Sequence, residues 1–375
     1  MGEVFLYKQG IQVPVEQQYS QKLPGLIRFI RISDIVSSNE PPRFINYHGT
    51  NLIKPDDLFM VRYGNPGMIS MGYSGVIANN LFRLIPKKNI YTLFFYFLLI
   101  FENKRLNLLV SNTTMPALSF KALDTFYVNF PEKLSEQKVI GSLLKKLDSL
   151  ITLQQRKLEL LKEIKKGLLQ KMFADKSKFP ILRFEGFHDE WEQCKLGELY
   201  SYHNGKAHEQ NQRSSGKYEL INLNSISVDG TLKSSGRYIN HADEILRQND
   251  LVMILSDIAH GTLLGRVAII PQDNKYVLNQ RVALLRPISK SENSNFMAPL
   301  INNNQRYFHK MGIGTSQLNI SKSTVIESLW QIPKIKEQSV IGNFLQNIDH
   351  IIALQHQRLS KLDEIKKSLL QQMFI

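Results

Sequence analysis

Two stretches of the chain share one rhythm of apolar and polar positions. Ile140, Leu144, Leu147, Ile151, Leu158, Leu161, Leu168 and Met172 follow a spacing of three and four, broken by Gln154 and Lys165. Ile341, Leu345, Ile348, Ile352, Leu359, Leu362, Leu369 and Met373 repeat it, broken by Gln355 and Lys366. An apolar seam held over about five heptads predicts a long helix that pairs with another helix. Pro131 and Pro333 stand just upstream, where proline is tolerated at a helix start. At 1.5 Å per residue each helix would run roughly 57 Å. Two arrangements stay open. The helices can pair antiparallel and hold the remaining parts of the chain apart, or each stripe can pack on its own preceding module. The near-identity of the two stretches favours pairing, because stripes packed on different modules would diverge with them.

Elsewhere the pattern turns to strands. Alternation and β-branched content mark LIRFIRISDI (26–35), GRVAIIP (265–271) and KYVLNQRVALLRPI (275–288). Glycine-rich turns separate the strands, as at Gly64, Gly67, Gly72 and Gly75. YTLFFYFLLIFENKRL (91–106) predicts a buried helix, with a weaker counterpart in FMAPLINNNQRYFHKM (296–311).

The two helical stretches are an internal repeat. Residues 136–173 return as 337–374 at a constant offset with no gap, and 21 of 38 positions are identical. Weaker echoes lie upstream. Met1-Gly2-Glu3-Val4-Phe5 parallels Leu196-Gly197-Glu198-Leu199-Tyr200, and Gly10 then falls opposite Gly205. FIRISDI (29–35) resembles LINLNSI (220–226), and Pro55-Asp56-Asp57-Leu58 resembles Gln248-Asn249-Asp250-Leu251. SNTTMPALSF (111–120) sits opposite IGTSQLNISK (313–322). The chain is two copies of one unit, each a variable part followed by a constant part. The expected division is a mixed α/β, β-rich module at 1–133, a helical spacer at 134–173, a linker at 174–190, a second such module at 191–333 and a second spacer at 334–375.

Composition narrows the function. The 375 residues are 43% hydrophobic and 21% charged, which is globular composition. Lys and Arg outnumber Asp and Glu by 47 to 33, an excess that attracts polyanions. The excess is uneven: residues 134–178 carry net +6 and residues 179–333 only +1, so any polyanion site in the second module must cluster its cations. One cysteine, Cys194, excludes disulfide scaffolds and cysteine-based zinc sites. MGEVFLYKQG lacks a secretory signal, and the longest apolar run, Tyr91 to Phe101, is about half a membrane span. A soluble, cytoplasmic protein without membrane contact is expected.

Catalytic motifs are missing. There is no phosphate-binding G-x-x-x-x-G-K-[ST] loop, no G-x-S-x-G elbow and no H-E-x-x-H. Asn39-Glu40-Pro41-Pro42 is not the tetrapeptide that amino-methyltransferases place at the target amine. The Glu-Ile-Lys strings at 163–165 and 364–366 lack a partner aspartate and read as solvated charges beside the seam. No catalytic residue and no metal ligand is assigned, and a non-enzyme is expected.

Function then concentrates in loops held by a scaffold. Arg, Asn and Gln read base edges, while Ser, Thr, Lys and backbone amides hold phosphates. The candidate DNA-binding residues are Lys8, Gln9, Arg43, Tyr47, Arg62 and Tyr63 in the first module. In the second they are Lys206, Arg213, Asn222, Asn224, Arg237, His260, Asn279, Gln280, Arg281, Thr315, Ser316 and Gln317.

The chain resembles the specificity subunit of Type I restriction-modification systems over nearly its whole length. The resemblance rests on the repeated EQxxIGxxLxxxD and IKKxLLQxMF helices, on WEQCKLGELYSYHNGK (191–206), Asn249-Asp250-Leu251, NQRVALLRP (279–287) and GTSQLNIS (314–321). It implies two target recognition domains, each reading half of a bipartite site in double-stranded DNA, separated by long helices pairing as an antiparallel coiled coil. Those helices would dock two modification (methyltransferase) subunits, and restriction subunits would join. S-adenosylmethionine, ATP and magnesium would belong to these partners, and this chain would hold no cofactor. A protein-interaction adaptor built on the coiled coil, without DNA specificity, is the alternative.

Two departures stand out. The family's first domain usually opens with a segment like WEQCKLGEL, whereas Met1-Gly2-Glu3 corresponds to the middle of it. This leaves a first strand without its counterpart, and with it the alternatives of a weakened first domain or a misplaced start. Met115-Pro116-Ala117 also stands where the second module has Gln317-Leu318-Asn319, so a polar role at that turn is expected only in the second half.

Overall fold

A computed structural model of the chain describes residues 1–36, 40–111, 116–174, 177–258, 261–289 and 292–374. It forms two compact units, Met1–Arg156 with Gln357–Ile375, and Lys157–His356. Both boundaries fall inside long helices, Leu134–Met172 and Ile335–Met373. Each unit therefore owns the first part of one helix and the last part of the other.

In the first unit a four-stranded antiparallel sheet runs in the order Phe5–Gln9, Leu81–Pro86, Leu58–Val61, Ile69–Ser70. A smaller sheet has Leu26–Ile30 at its centre, antiparallel to Arg43–Asn46 and parallel to Val76–Ile77. The second unit repeats both. Its larger sheet runs Tyr200–Asn204, Val282–Pro287, Leu251–Ile254, Val267–Ile269, all antiparallel. Its smaller sheet sets Tyr218–Ile221 antiparallel to Tyr238–Ile239 and parallel to Tyr276–Leu278. The duplication read in the helices thus extends through both sheets.

The strand Leu251–Ile254 explains why a four-residue run, LVMI, is wholly apolar. Side chains alternate across a strand, so Leu251 and Met253 enter one core while Val252 and Ile254 enter another. Leu58–Val61 does the same, with Leu58 and Met60 on one side and Phe59 and Val61 on the other. One side of each sheet is covered by the predicted buried helices, Thr92–Phe101 and Ser294–Asn303.

Two differences from the sequence reading lie at turns. The strand expected over 26–35 stops at Ile30, because the Asp34 carboxylate accepts the Arg31 amide at 2.8 Å and starts a turn of helix, Ser33–Val36. In the repeat, the Ser225 hydroxyl accepts the Asn222 amide at 2.9 Å and ends Tyr218–Ile221 the same way. The run 275–288 is two strands in different sheets, divided at the turn Asn279-Gln280-Arg281. The second unit also pairs Glu192–Lys195 with Leu329–Ile332, and the first unit has no such pair among the described residues.

Within each unit the two helix segments pair antiparallel. In the first, Lys366 Nζ meets Asp148 Oδ1 at 2.5 Å, and Leu369, Leu370 and Phe374 share a core with Ile140 and Leu144. In the second, Lys165 Nζ meets Asp349 Oδ1 at 2.5 Å, and Leu168, Met172 and Phe173 share a core with Ile341 and Leu345. The helix starts also pack on their own modules. Leu144 joins the core of Phe94 and Phe95, and Leu345 that of Phe296 and Trp191, so pairing and self-packing coexist.

Candidate nucleic-acid interface

In both modules the larger and smaller sheets meet at the end of the first strand, where a glycine is obligatory. A Cβ on Gly10 would lie 2.2 Å from the carbonyl oxygens of Ile77 and Ala78, and one on Gly205 would lie 1.9 Å from that of Asn279. The Gly10 amide donates to Leu81 O and the Gly205 amide to Val282 O, each at 2.9 Å. These contacts fix the equivalences: Gln9 with Asn204, Ala78 with Asn279, Asn80 with Arg281, and Arg62 with Leu255.

At the first junction Arg62 is held from three sides. Its guanidinium hydrogen-bonds Gln9 Oε1 and lies 4.9 Å from the ring centroid of Tyr63 and 4.7 Å from that of Phe120. Gln9 Nε2 donates to Asn79 O at 2.6 Å, so Gln9 is a fixed spacer and Arg62 the presented group. Tyr47 joins through Asn51, whose amide N–H donates to the Tyr47 hydroxyl at 3.1 Å and whose side chain donates to Gln9 O at 3.3 Å. Lys8, one residue along the strand, sits opposite Arg83 and points to the other face.

At the second junction an open cleft of about 280 Å³ is lined by Asn222, Leu223, Asn224, Asn279, Gln280 and Arg281. Asn222 Oδ1 caps the turn by accepting the Asn224 amide at 2.9 Å. Asn279 is buried, and its Oδ1 has no partner among the described residues. Lys206 bridges to Asn279 through the backbone, but its ammonium pairs with exposed Asp243 at 2.7 Å, which pushes the lysine up and the aspartate down from their usual ranges. Gln317 Nε2 donates to Ser256 Oγ, and Ser256 Oγ donates to Asn319 Oδ1 at 2.6 Å. Thr315 and Ser316 are exposed at the tip of the hairpin that ends in Gln317–Asn319.

The remaining candidates gather elsewhere, on the outer edges of the smaller sheets. Arg43 pairs with Phe29 at one edge, and Arg237 stands at the equivalent place, its carbonyl accepting the Leu220 amide at 2.8 Å. Arg213 pairs with Tyr238 next to it. His260 lies outside the described residues.

Several participants escaped the sequence reading. Phe120 is 58 residues from Arg62, and only the fold stacks them. Tyr202, its phenol pushed up to about 12 by burial, donates to Asn204 Oδ1 at 2.6 Å and carries Lys322 over its ring at 5.6 Å. One available signal was the matched pair Ser119 and Ser321, which cap the short helices Phe120–Asp124 and Lys322–Ile326 and so bring Phe120 and Lys322 to the junctions. Among the described residues no cluster of His, Cys, Asp and Glu could hold a metal, and no helix is long and apolar enough to cross a membrane.

A duplicated α/β module, each copy presenting cationic and amide side chains at one sheet junction, defines a two-part recognition scaffold. The model of the Type I restriction modification DNA specificity domain matches residues 2–163 and 188–364, and the chain belongs to that family. It is 22% identical over 335 residues to the Type I restriction enzyme MjaVIII specificity subunit of Methanocaldococcus jannaschii, covering 85% of this chain and 78% of that protein. Its fold is similar to the S subunit of a Type I restriction-modification system from M. genitalium, with a TM-score of 0.69 at 15% identity over 100% of this chain and 94% of that one. A chain from a structure concerned with complex assembly and conformational transition of the type I R-M system aligns with a TM-score of 0.55 at 14% identity, over 100% of this chain and 96% of that one.

Proposed function

We propose that the chain is the DNA-recognition subunit of a Type I restriction-modification assembly, with each module reading one half of a bipartite duplex site. The observation that carries this reading is the repeated junction. The same backbone frame presents Arg62 with Tyr63 in one module, and Asn222, Asn224 and Arg281 in the other. Amide and guanidinium groups are the side chains that discriminate base edges, and Arg43, Arg213 and Arg237 on the sheet edges suit phosphates.

The long helices dock the methyltransferase subunits in this reading. An exposed apolar stripe supports it: Val139, Leu150, Leu153 and Ile164 on the first helix recur as Val340, Ile351, Leu354 and Ile365 on the second. Restriction subunits join the assembly, and S-adenosylmethionine, ATP and magnesium are held by the partners.

Two measurements test the proposal. Binding of duplex DNA should weaken steeply with added salt, and cells expressing the chain with its methyltransferase partner should carry methylated sites in two separated halves. Salt-independent or absent DNA binding would favour the coiled-coil adaptor instead.

A further inference from the structure

We infer that Arg281 reads a guanine in the half-site taken by the second module. This rests on the DNA-recognition reading and deepens it.

The backbone supplies the first observation. Three non-glycine residues have positive φ among the described residues: Asn249 at 68°, Asn274 at 58° and Arg281 at 67°. Asparagine tolerates that region, whereas arginine does not favour it. A strained residue kept at a tight turn points to a use for its side chain. The turn itself has no need of arginine, since Arg281 contributes its carbonyl to the Leu255 amide at 2.9 Å, a bond any residue could make.

The surroundings supply the second. Arg281 is exposed and has no carboxylate partner among the described residues, unlike Lys206 and Arg286, which pair with Asp243 and Asp250, while Arg266 is held by the carbonyl of Asn302. Among the described residues it is the one cation lining a cleft whose other polar walls are Asn222, Asn224, Asn279 and Gln280. A phosphate track is built from several cations, while a single guanidinium among amides matches the two acceptors on a guanine edge in the major groove.

The first module differs at every one of these points. Asn80 replaces Arg281, and Arg31 replaces Asn222. Arg31 is paired with Asp34 at 3.3 Å and Glu40 at 3.1 Å, and Arg28 with Asp34 at 2.7 Å, so these cations are neutralised.

The test is Arg281→Gly, which suits the left-handed backbone and deletes the side chain. The full chain is assembled with its methyltransferase subunits, and methylated sites are mapped against the unaltered assembly. The expected result is a melting temperature equal to or above that of the parent, together with relaxation at a single G·C pair in one half. Discrimination there should fall by at least about tenfold, with the other half unchanged. A uniform loss of affinity for all sequences, with a shallower salt slope, would make Arg281 a phosphate contact and overturn the inference. An unchanged site would overturn it too. If the unaltered assembly methylates no defined site, it is the DNA-recognition reading that fails.

Discussion

Replacing Asp250 by alanine should destabilise the second module far more than the same change at Asp57 destabilises the first. Asp250 is 2% exposed and accepts three hydrogen bonds: Arg286 Nε at 2.9 Å, Arg286 Nη2 at 2.7 Å and the Arg247 amide at 2.7 Å. Its removal leaves a guanidinium that is itself only 19% exposed with the longer contact to Glu244, at 3.6 Å, as its one remaining carboxylate among the described residues. Breaking one side of a buried pair costs about 3–5 kcal/mol. Asp57 accepts the Lys54 amide and one Arg83 nitrogen, each at 2.7 Å, but with side chains 16% and 22% exposed the loss should be about 1–3 kcal/mol. Both tryptophans, Trp191 and Trp330, are buried in the second module, so tryptophan fluorescence during urea unfolding reports that module. Asp250→Ala should lower the apparent melting temperature by roughly 6–20 °C for a unit of this size. Asp250→Leu combined with Arg286→Met should recover most of the loss, because no charge is left unpaired. A cost under about 1 kcal/mol, or a double variant as unstable as the single one, would refute the reasoning.

Other outcomes follow from the same geometry. Gly205→Ala, whose Cβ would meet Asn279 O at 1.9 Å, should cost at least about 2 kcal/mol in the same fluorescence assay. Gly10→Ala should leave that signal unchanged while weakening DNA binding by the first module. Arg62→Ala should weaken duplex binding by roughly 1–3 kcal/mol without lowering the melting temperature by more than a few degrees, as read by titration and calorimetry. Lys165→Met should cost no more than about 1 kcal/mol, and less in high salt, because its partner Asp349 is 48% exposed.

The helices were legible because a seam of eight apolar positions, repeated at a fixed offset, has one efficient solution. Their bounds, Leu134–Met172 and Ile335–Met373, begin just after Pro131 and Pro333. The sheets were legible as equivalents through their backbone-directed residues, Gly10 with Gly205 and Asp57 with Asp250. The division at Asn279-Gln280-Arg281 was not, since an alternating run of β-formers gives no sign that its two halves belong to different sheets. Neither was the stacking of Phe120 on Arg62, a contact set by which strand ends the topology brings together rather than by spacing along the chain.

The positions that the two modules share and those they do not fall into separate physical classes. Gly10 and Gly205 admit a close carbonyl, Asp57 and Asp250 capture a backbone amide and an arginine, and Ser119 and Ser321 cap helices. Each acts on the backbone, so substitution there is felt throughout a module. Gln9 against Asn204, Arg62 against Leu255, Arg31 against Asn222 and Asn80 against Arg281 stand on that frame and differ between the modules, and even the strain at Arg281 is confined to one turn. What a module contacts can therefore change by substitution at the junction while its sheets, caps and helix packing stay as they are.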